Sequence, residues 1–212
     1  MTENTTPLLL GDALQGASVV CVVTHGRGQS PEMMAEHIVS RLKSKAVAYV
    51  LPRAASGSWY DARAVDPLTE TTRKQRDASL NQLRRAAALA PANIPVVMVG
   101  FSQGACLTLE YGFAFGPWRG AMVSFTGCRV GTSQDQRPRA DLAGLPVYLS
   151  GADKDPWIPL PAYAGAVFEL GAARARLRTD LFPGRQHEVS DTEIAVLQGA
   201  LDQLTAGKEV QW

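Results

Sequence analysis

Cysteine is scarce in this chain: Cys21, Cys106 and Cys128 are the only three among 212 residues. An odd number at no metal-ligand spacing excludes a disulfide scaffold, and each of the three lies in or beside an apolar run. They read as buried free thiols of a reducing, cytoplasmic compartment. Charge of one sign is equally lacking, with 21 Lys and Arg against 20 Asp and Glu. Without a basic block the chain offers neither a nucleic-acid footprint nor an electrostatic membrane anchor. Apolar runs are short, and those such as residues 17–23, broken by Ser18, fall far below the ~18–20 residues that crossing a bilayer requires. The first residues lack the basic start and apolar stretch of a secretory signal, so a soluble cytoplasmic protein without integral membrane association is expected. The phosphate-cradling patterns G-x-x-x-x-G-K-[ST] and G-x-G-x-x-G are also missing, which argues against a nucleotide ligand.

What is present is apolar material for a sizeable core, 46% of the residues, in a length that suits one domain over residues 1–212. Short apolar runs alternate with helical patterns from end to end, the signature of a mostly parallel sheet covered by helices. Strands are expected at 18–24, 46–51, 95–100, 121–125, 146–150 and 175–182, with a further short strand at 8–10. The first five are nearly continuous apolar runs, as strands buried on both faces must be. In the last, Leu177, Thr179 and Leu181 alternate with Arg176, Arg178 and Asp180, which suits the sheet edge. Helices are expected at 31–43, 70–89, 103–111, 161–170 and 191–204; the first follows Ser30-Pro31, an N-cap and a first-turn proline. Residues 52–68 have no period and form a long loop, the kind of segment that is often functional. In the tail 206–212, Trp212 is expected to pack on the body, with a second subunit in a homodimer as the alternative.

The chemistry begins where the strand at 95–100 runs into Gly100-Phe-Ser-Gln-Gly104 and a helix follows at once. This is the context of a nucleophile elbow, whose strained strand-to-helix turn needs residues without bulk around the serine. With 19 Gly and 12 Ser, chance would produce about 0.1 matches to the pattern in a chain of this length. A serine hydroxyl needs a base to take its proton, usually a histidine oriented by a carboxylate. Of the three histidines only His187 follows Ser102, in a loop between the last strand and the last helix, and it fits the base. Two aspartates compete in the loop after the strand at 146–150. Asp155 precedes Pro156, which restricts how its side chain is presented, and is favoured over Asp153, which reads as a turn residue or cap. An oxyanion needs backbone donors: Gln103 N–H supplies one, and the glycine-rich loop Thr24-His-Gly-Arg-Gly28 places a second at Arg27 N–H. Trp59, Tyr60, Phe101 and Trp157 lie beside this site in sequence or topology and are read as walls of an apolar acyl or aryl pocket. No ligand cluster calls for a metal, and no cofactor is expected.

His25-Gly-Arg-Gly28, the Ser58-Trp-Tyr60 loop, the elbow, the segment from Gly151 to Pro159 and Gly184-Arg-Gln-His-Glu188 occur in an order that resembles the phospholipase/carboxylesterase family of α/β-hydrolases. The resemblance spans about residues 17–205. It implies an α/β-hydrolase fold with a sheet of six to seven strands and no separate lid domain. It also implies Ser102 as nucleophile, Asp155 as acid, His187 as base, and the N–H groups of Arg27 and Gln103 as oxyanion hole. The family's aspartate, followed by two residues, a branched aliphatic and a proline, lands on Asp155. Arg27, Thr24 and Arg185-Gln186 depart from the residues common in thioesterase members, so a long acyl chain is not implied. The expected activity is hydrolysis of small to medium carboxylic esters or thioesters through an acyl-enzyme. The alternatives are lysophospholipid or acyl-protein deacylation and, from another class, a non-catalytic ligand sensor on a hydrolase scaffold.

Overall fold

A strand that is apolar on both faces must be covered on both. In the computed structural model, which describes residues 5–212, β2 (Val19–Thr24), β4 (Val96–Phe101) and β5 (Gly120–Phe125) meet that condition at the centre of a seven-stranded sheet. β3 (Val47–Leu51) and then β1 (Leu8–Gly11) extend it on one side, β6 (Pro146–Ala152) and β7 (Arg176–Phe182) on the other, giving the order β1-β3-β2-β4-β5-β6-β7. All neighbours pair parallel except β1 with β3. β7 lies at the edge as its alternation suggested, but it is Thr179 and Leu181 that are exposed, while Asp180 is half-buried and accepts the Tyr148 hydroxyl at 2.9 Å.

Among the described residues five helices flank the sheet: α1 (Pro31–His37), α2 (Glu70–Ala87), α3 (Gln103–Phe115), α4 (Leu160–Ala172) and α5 (Asp191–Thr205). Alternate strand residues face opposite layers. Val20, Val22, Met98 and Met122 pack with Leu83 of α2, Leu107 of α3 and Leu170 of α4. Val19, Cys21, Val23 and Val99 pack with Met34 of α1 and with Leu197 and Leu201 of α5. This is the α/β-hydrolase architecture. The tail folds back: Trp212 Nε1 donates to the Arg176 carbonyl at 3.1 Å and the indole lies beside Tyr148.

Two helices differ from the sequence pattern by more than two residues at an end. The first was expected over 31–43, but α1 ends at His37 and continues as a 3-10 turn, Val39–Arg41. β-branched Ile38 leaves helical geometry at φ −121° and the Ser40 hydroxyl donates to the Glu36 carbonyl, an alternative to the helical ladder. The apolar face survives because Met34 and Ile38 still point inward. In contrast, α3, expected to end at Tyr111, runs on through Gly112 to Phe115. Gly112 serves packing here: a Cβ would lie 2.8 Å from the Met122 sulfur.

The layered core yields a paired prediction. Leu197→Ala, at a position with no exposure, should lower unfolding free energy by about 2–5 kcal/mol. Leu181→Ala on the edge strand, 42% exposed, should change it by less than about 1 kcal/mol. Urea denaturation of both variants measures the difference, and equal losses would contradict the assignment of faces.

Candidate active site

The strand ends of β4 and β2 and the first turn of α3 meet without room for a side chain. A Cβ on Gly104 would sit 2.2 Å from the Thr24 carbonyl oxygen, and one on Gly100 2.3 Å from that of Gly104. Ser102 lies between them at φ 56°, ψ −120°, a left-handed conformation that costs a non-glycine residue about 1–3 kcal/mol. Its N–H donates to Phe125 O at 3.1 Å, while its own carbonyl accepts from Cys106 N–H at 3.0 Å. Strain and hydrogen bonds together lift the hydroxyl out of the strand at the C-terminal edge of the sheet.

The loops after β6 and β7 converge on that hydroxyl. His187 Nε2 is 2.8 Å from Ser102 Oγ, and His187 Nδ1 is 2.7 Å from Asp155 Oδ2. An ionised carboxylate can only accept, so the Nδ1 proton faces Asp155 and the Nε2 lone pair faces the serine. The Asp155 carboxylate has no exposed surface, and its Oδ1 accepts the N–H groups of Trp157 and Ile158, each at 2.8 Å. Burial raises its pKa, but the bonds from His187, Ile158 and Trp157 outweigh it and hold Asp155 below the usual aspartate value. Asp153 does not bond the imidazole. Its Oδ1 accepts Gly184 N–H at 2.6 Å and so ties together the two loops that carry Asp155 and His187.

The loop after β2 approaches from the other side, and a Cβ on Gly26 would come 3.2 Å from Ser102 Cβ. Among the described residues no backbone acceptor takes the N–H of Arg27, and Gln103 N–H, in the first turn of α3, is unpaired as helix-initial donors are. The loop's shape depends on His25, whose role its sequence position did not disclose. Buried His25 donates from Nδ1 to the Gly26 carbonyl at 2.7 Å and accepts Ala54 N–H on Nε2 at 3.1 Å. Only the neutral imidazole makes both bonds, and burial lowers its pKa against the Gly26 bond, which raises it. Gln29 completes the turn, its Oε1 accepting Gly26 N–H at 2.9 Å.

Above Ser102 opens a cavity of about 440 Å³, lined by Tyr60, Phe101, Cys106, Trp157 and Ile158 together with Ser102 and His187. Tyr60, Phe101 and Trp157 thus lie where the sequence suggested, and Trp157 is the most exposed of them. Trp59 does not. It is buried beneath its loop, with Nε1 donating to the His25 carbonyl at 2.7 Å and its ring 4.8 Å from the His25 ring. Its indole N–H needs a partner once buried, and the backbone of the loop after β2 supplies one. Gln103 has a second task through its side chain, which accepts Trp59 N–H and donates to Tyr60 O, clamping the 58–60 segment. Cys106 and Ile158 were missed as pocket residues because each sits in an apolar pattern that reads as core. Among the described residues no group of three or more His, Cys, Asp or Glu could hold a metal ion.

The sequence matches the phospholipase/carboxylesterase family over residues 13–205, and the chain belongs to that family. Among solved structures, a phospholipase/carboxylesterase from Dyadobacter fermentans is 27% identical, with a TM-score of 0.82 over 95% of this chain and 98% of that one. Zea mays acyl-protein thioesterase 2, 16% identical, shares the fold with a TM-score of 0.77 over 95% of this chain and 100% of its own. The Bacillus cereus carboxylesterase, also 16% identical, does so with 0.74 over 96% of each chain. No curated protein matches the sequence.

Two predictions follow from this geometry. Because a methyl on Gly104 meets backbone, Gly104→Ala should lower the denaturant midpoint sharply, whereas Gly165→Ala, in open space on α4, should be neutral or stabilising by up to about 1 kcal/mol. His25 binds its proton less readily folded than unfolded, so its contribution is complete above its unfolded pKa, about 6.5, and is lost as pH falls below it. Urea midpoints at pH 7.5 and 5 should show a fall in the parent that is smaller in His25→Ala. An equal fall would remove His25 as its source.

Proposed function

We propose that this protein is a serine hydrolase cleaving carboxylic esters or thioesters of small to medium size through an acyl-enzyme. The observation that carries the reading is the continuous run from Ser102 Oγ through His187 to Asp155 at the floor of an apolar cavity. In this reading His187 Nε2 takes the Ser102 proton as Oγ attacks the substrate carbonyl carbon. The N–H groups of Arg27 and Gln103 receive the oxyanion, and each such donor is worth about 3–4 kcal/mol of barrier. Asp155 holds the imidazole in the required tautomer and stabilises its charged form. The tetrahedral intermediate collapses, His187 passes the proton to the leaving alcohol or thiol, and water repeats the cycle on the acyl-serine. The cavity falls at the small end of ligand pockets, about 300–1,000 Å³, which favours short and medium acyl groups.

Hydrolysis of short-chain nitrophenyl esters tests this. Ser102→Ala should lose at least roughly 10³-fold in kcat/KM, and Asp155→Asn roughly 10²–10⁴-fold. Asp153→Asn should lose less, and the reverse order would transfer the acid role to Asp153. Parent-level rates in Ser102→Ala and Asp155→Asn would sink the mechanism. A fluorophosphonate probe should label Ser102, and absence of labelling would favour the non-catalytic sensor. In a chain-length series the rate should fall beyond medium acyl groups, and a rise toward long chains would favour lysophospholipid or acyl-protein deacylation.

A further inference from the structure

Between β7 and α5, residues 183–190 carry His187 on a loop whose residues are part exposed and part half-buried. Arg185 is its one arginine, and its side chain is turned inward. Its guanidinium lies over the Phe182 ring at 4.6 Å, pairs through Nη1 with the Glu193 carboxylate, and donates through Nη2 to Thr126 Oγ1 at 2.9 Å. The Glu193 side chain has no exposed surface and Arg185 retains only 8%. Glu193 also accepts from the Ser150 hydroxyl at the end of β6, and from the N–H and hydroxyl of Ser190, each at 2.7 Å. Thr126 is a β-branched residue at φ 59°, a conformation that such residues rarely adopt. Its N–H donates to the Ser150 carbonyl and hydroxyl, both at 3.2 Å. The carbonyl of the residue before it, Phe125, accepts the Ser102 N–H. One buried polar network therefore joins the backbone under Ser102, the ends of β5 and β6, the start of α5 and the loop that carries His187.

A buried ion pair is weak evidence of stability, since well-packed apolar side chains often hold a core as well or better. What a guanidinium fork adds is direction, because its planar donors meet two acceptors at set angles. Arg185 stands two residues before His187, whose ring must meet Ser102 and Asp155 at once. We propose that Arg185 and Glu193 are positioning residues, whose ion pair sets the height and tilt of the His187 loop so that Nδ1 and Nε2 reach both partners. This deepens the serine-hydrolase reading and rests on it.

Arg185→Met, Arg185→Lys and Glu193→Gln test the proposal, the last keeping a side chain that can still form the capping box with Ser190. Each variant is confirmed folded by near-ultraviolet circular dichroism at an assay temperature well below its Tm. Two readouts are then taken: kcat and KM for a short nitrophenyl ester, and the far-downfield Nδ1 proton of His187 by NMR, assigned by its loss in Asp155→Asn. Arg185→Met should lower kcat by roughly 100-fold, the scale of a misplacement of about 1 Å. KM should stay within about twofold, as expected when transition-state geometry and not substrate binding is lost. The Nδ1 resonance should broaden or vanish, and Arg185→Lys should recover part of both. If Arg185→Met does not fold, Arg185→Lys and Glu193→Gln carry the same test, with partial losses in kcat and resonance expected. Parent kcat and an intact resonance in any folded variant, whatever its Tm, would reduce the pair to a structural one and overturn the proposal. Should the parent itself fail to hydrolyse esters, the catalytic reading fails, while the NMR signal still reports whether the pair positions His187.

Discussion

The site rests on the contact between the start of α3 and the end of β2. Backbone there meets backbone with no intervening side chain, because Gly104 lies against the carbonyls of Thr24 and His25. Contact of this kind allows no adjustment by rotamer change. It sets where the helix begins, and with it the left-handed turn that carries the Ser102 hydroxyl and the N–H of Gln103. The same contact brings the loop after β2 against Ser102. The serine and both candidate oxyanion donors are thus products of one packing constraint, and the cost of the strained turn is met by the strand and helix on either side of it.

Around that contact, polar side chains do for the loops what apolar ones do for the sheet. His25 and Gln29 bond the backbone of the turn at Gly26, and Gln103 holds the 58–60 segment from the helix side. Asp155 receives two amides from its own loop on Oδ1 while Oδ2 meets His187, so the carboxylate is aimed independently of the imidazole. Asp153 bonds the opposite loop, so neighbouring aspartates have separate tasks. The cavity lining is largely apolar; its charged members Arg27, Asp61 and Arg63 are exposed, and the Arg27 guanidinium bonds the carbonyls of Asp61 and Ala62. Near-zero net charge is consistent with recognition by shape and local contacts and not by a long-range field.

The central strands were legible because parallel strands covered on both faces must be apolar throughout, and β7 because its residues alternate in polarity, as suits a sheet edge. The elbow was legible because two glycines at fixed distance from a serine answer a steric demand. Less legible was anything decided by what lies across space. Trp59 looked like a pocket wall because aromatics near a site often are, yet its indole N–H is drawn to the His25 carbonyl beneath the loop. His25, beside a glycine-rich loop, shows its role only when Ala54 and Gly26 are seen on either side of its ring. Arg185 read as a departure from a family pattern; that it faces Glu193, eight residues on and in the next helix, depends on how the loop folds back. Helix ends depart from the pattern at Ile38 and Gly112 for opposite reasons, a hydroxyl competing with the ladder in one and a close-packed methionine sulfur behind the other.

The central claim is that Ser102, and no other group lining the cavity, becomes acylated. Rapid mixing with a nitrophenyl ester, acid quenching within the first turnovers and peptide mass spectrometry test it most directly. The expected result is the mass of one acyl group on the peptide carrying Ser102, localised by fragmentation to that serine. An acyl group on Cys106, which shares the cavity and the same helix, or hydrolysis with no acylated peptide at any quench time, would contradict it.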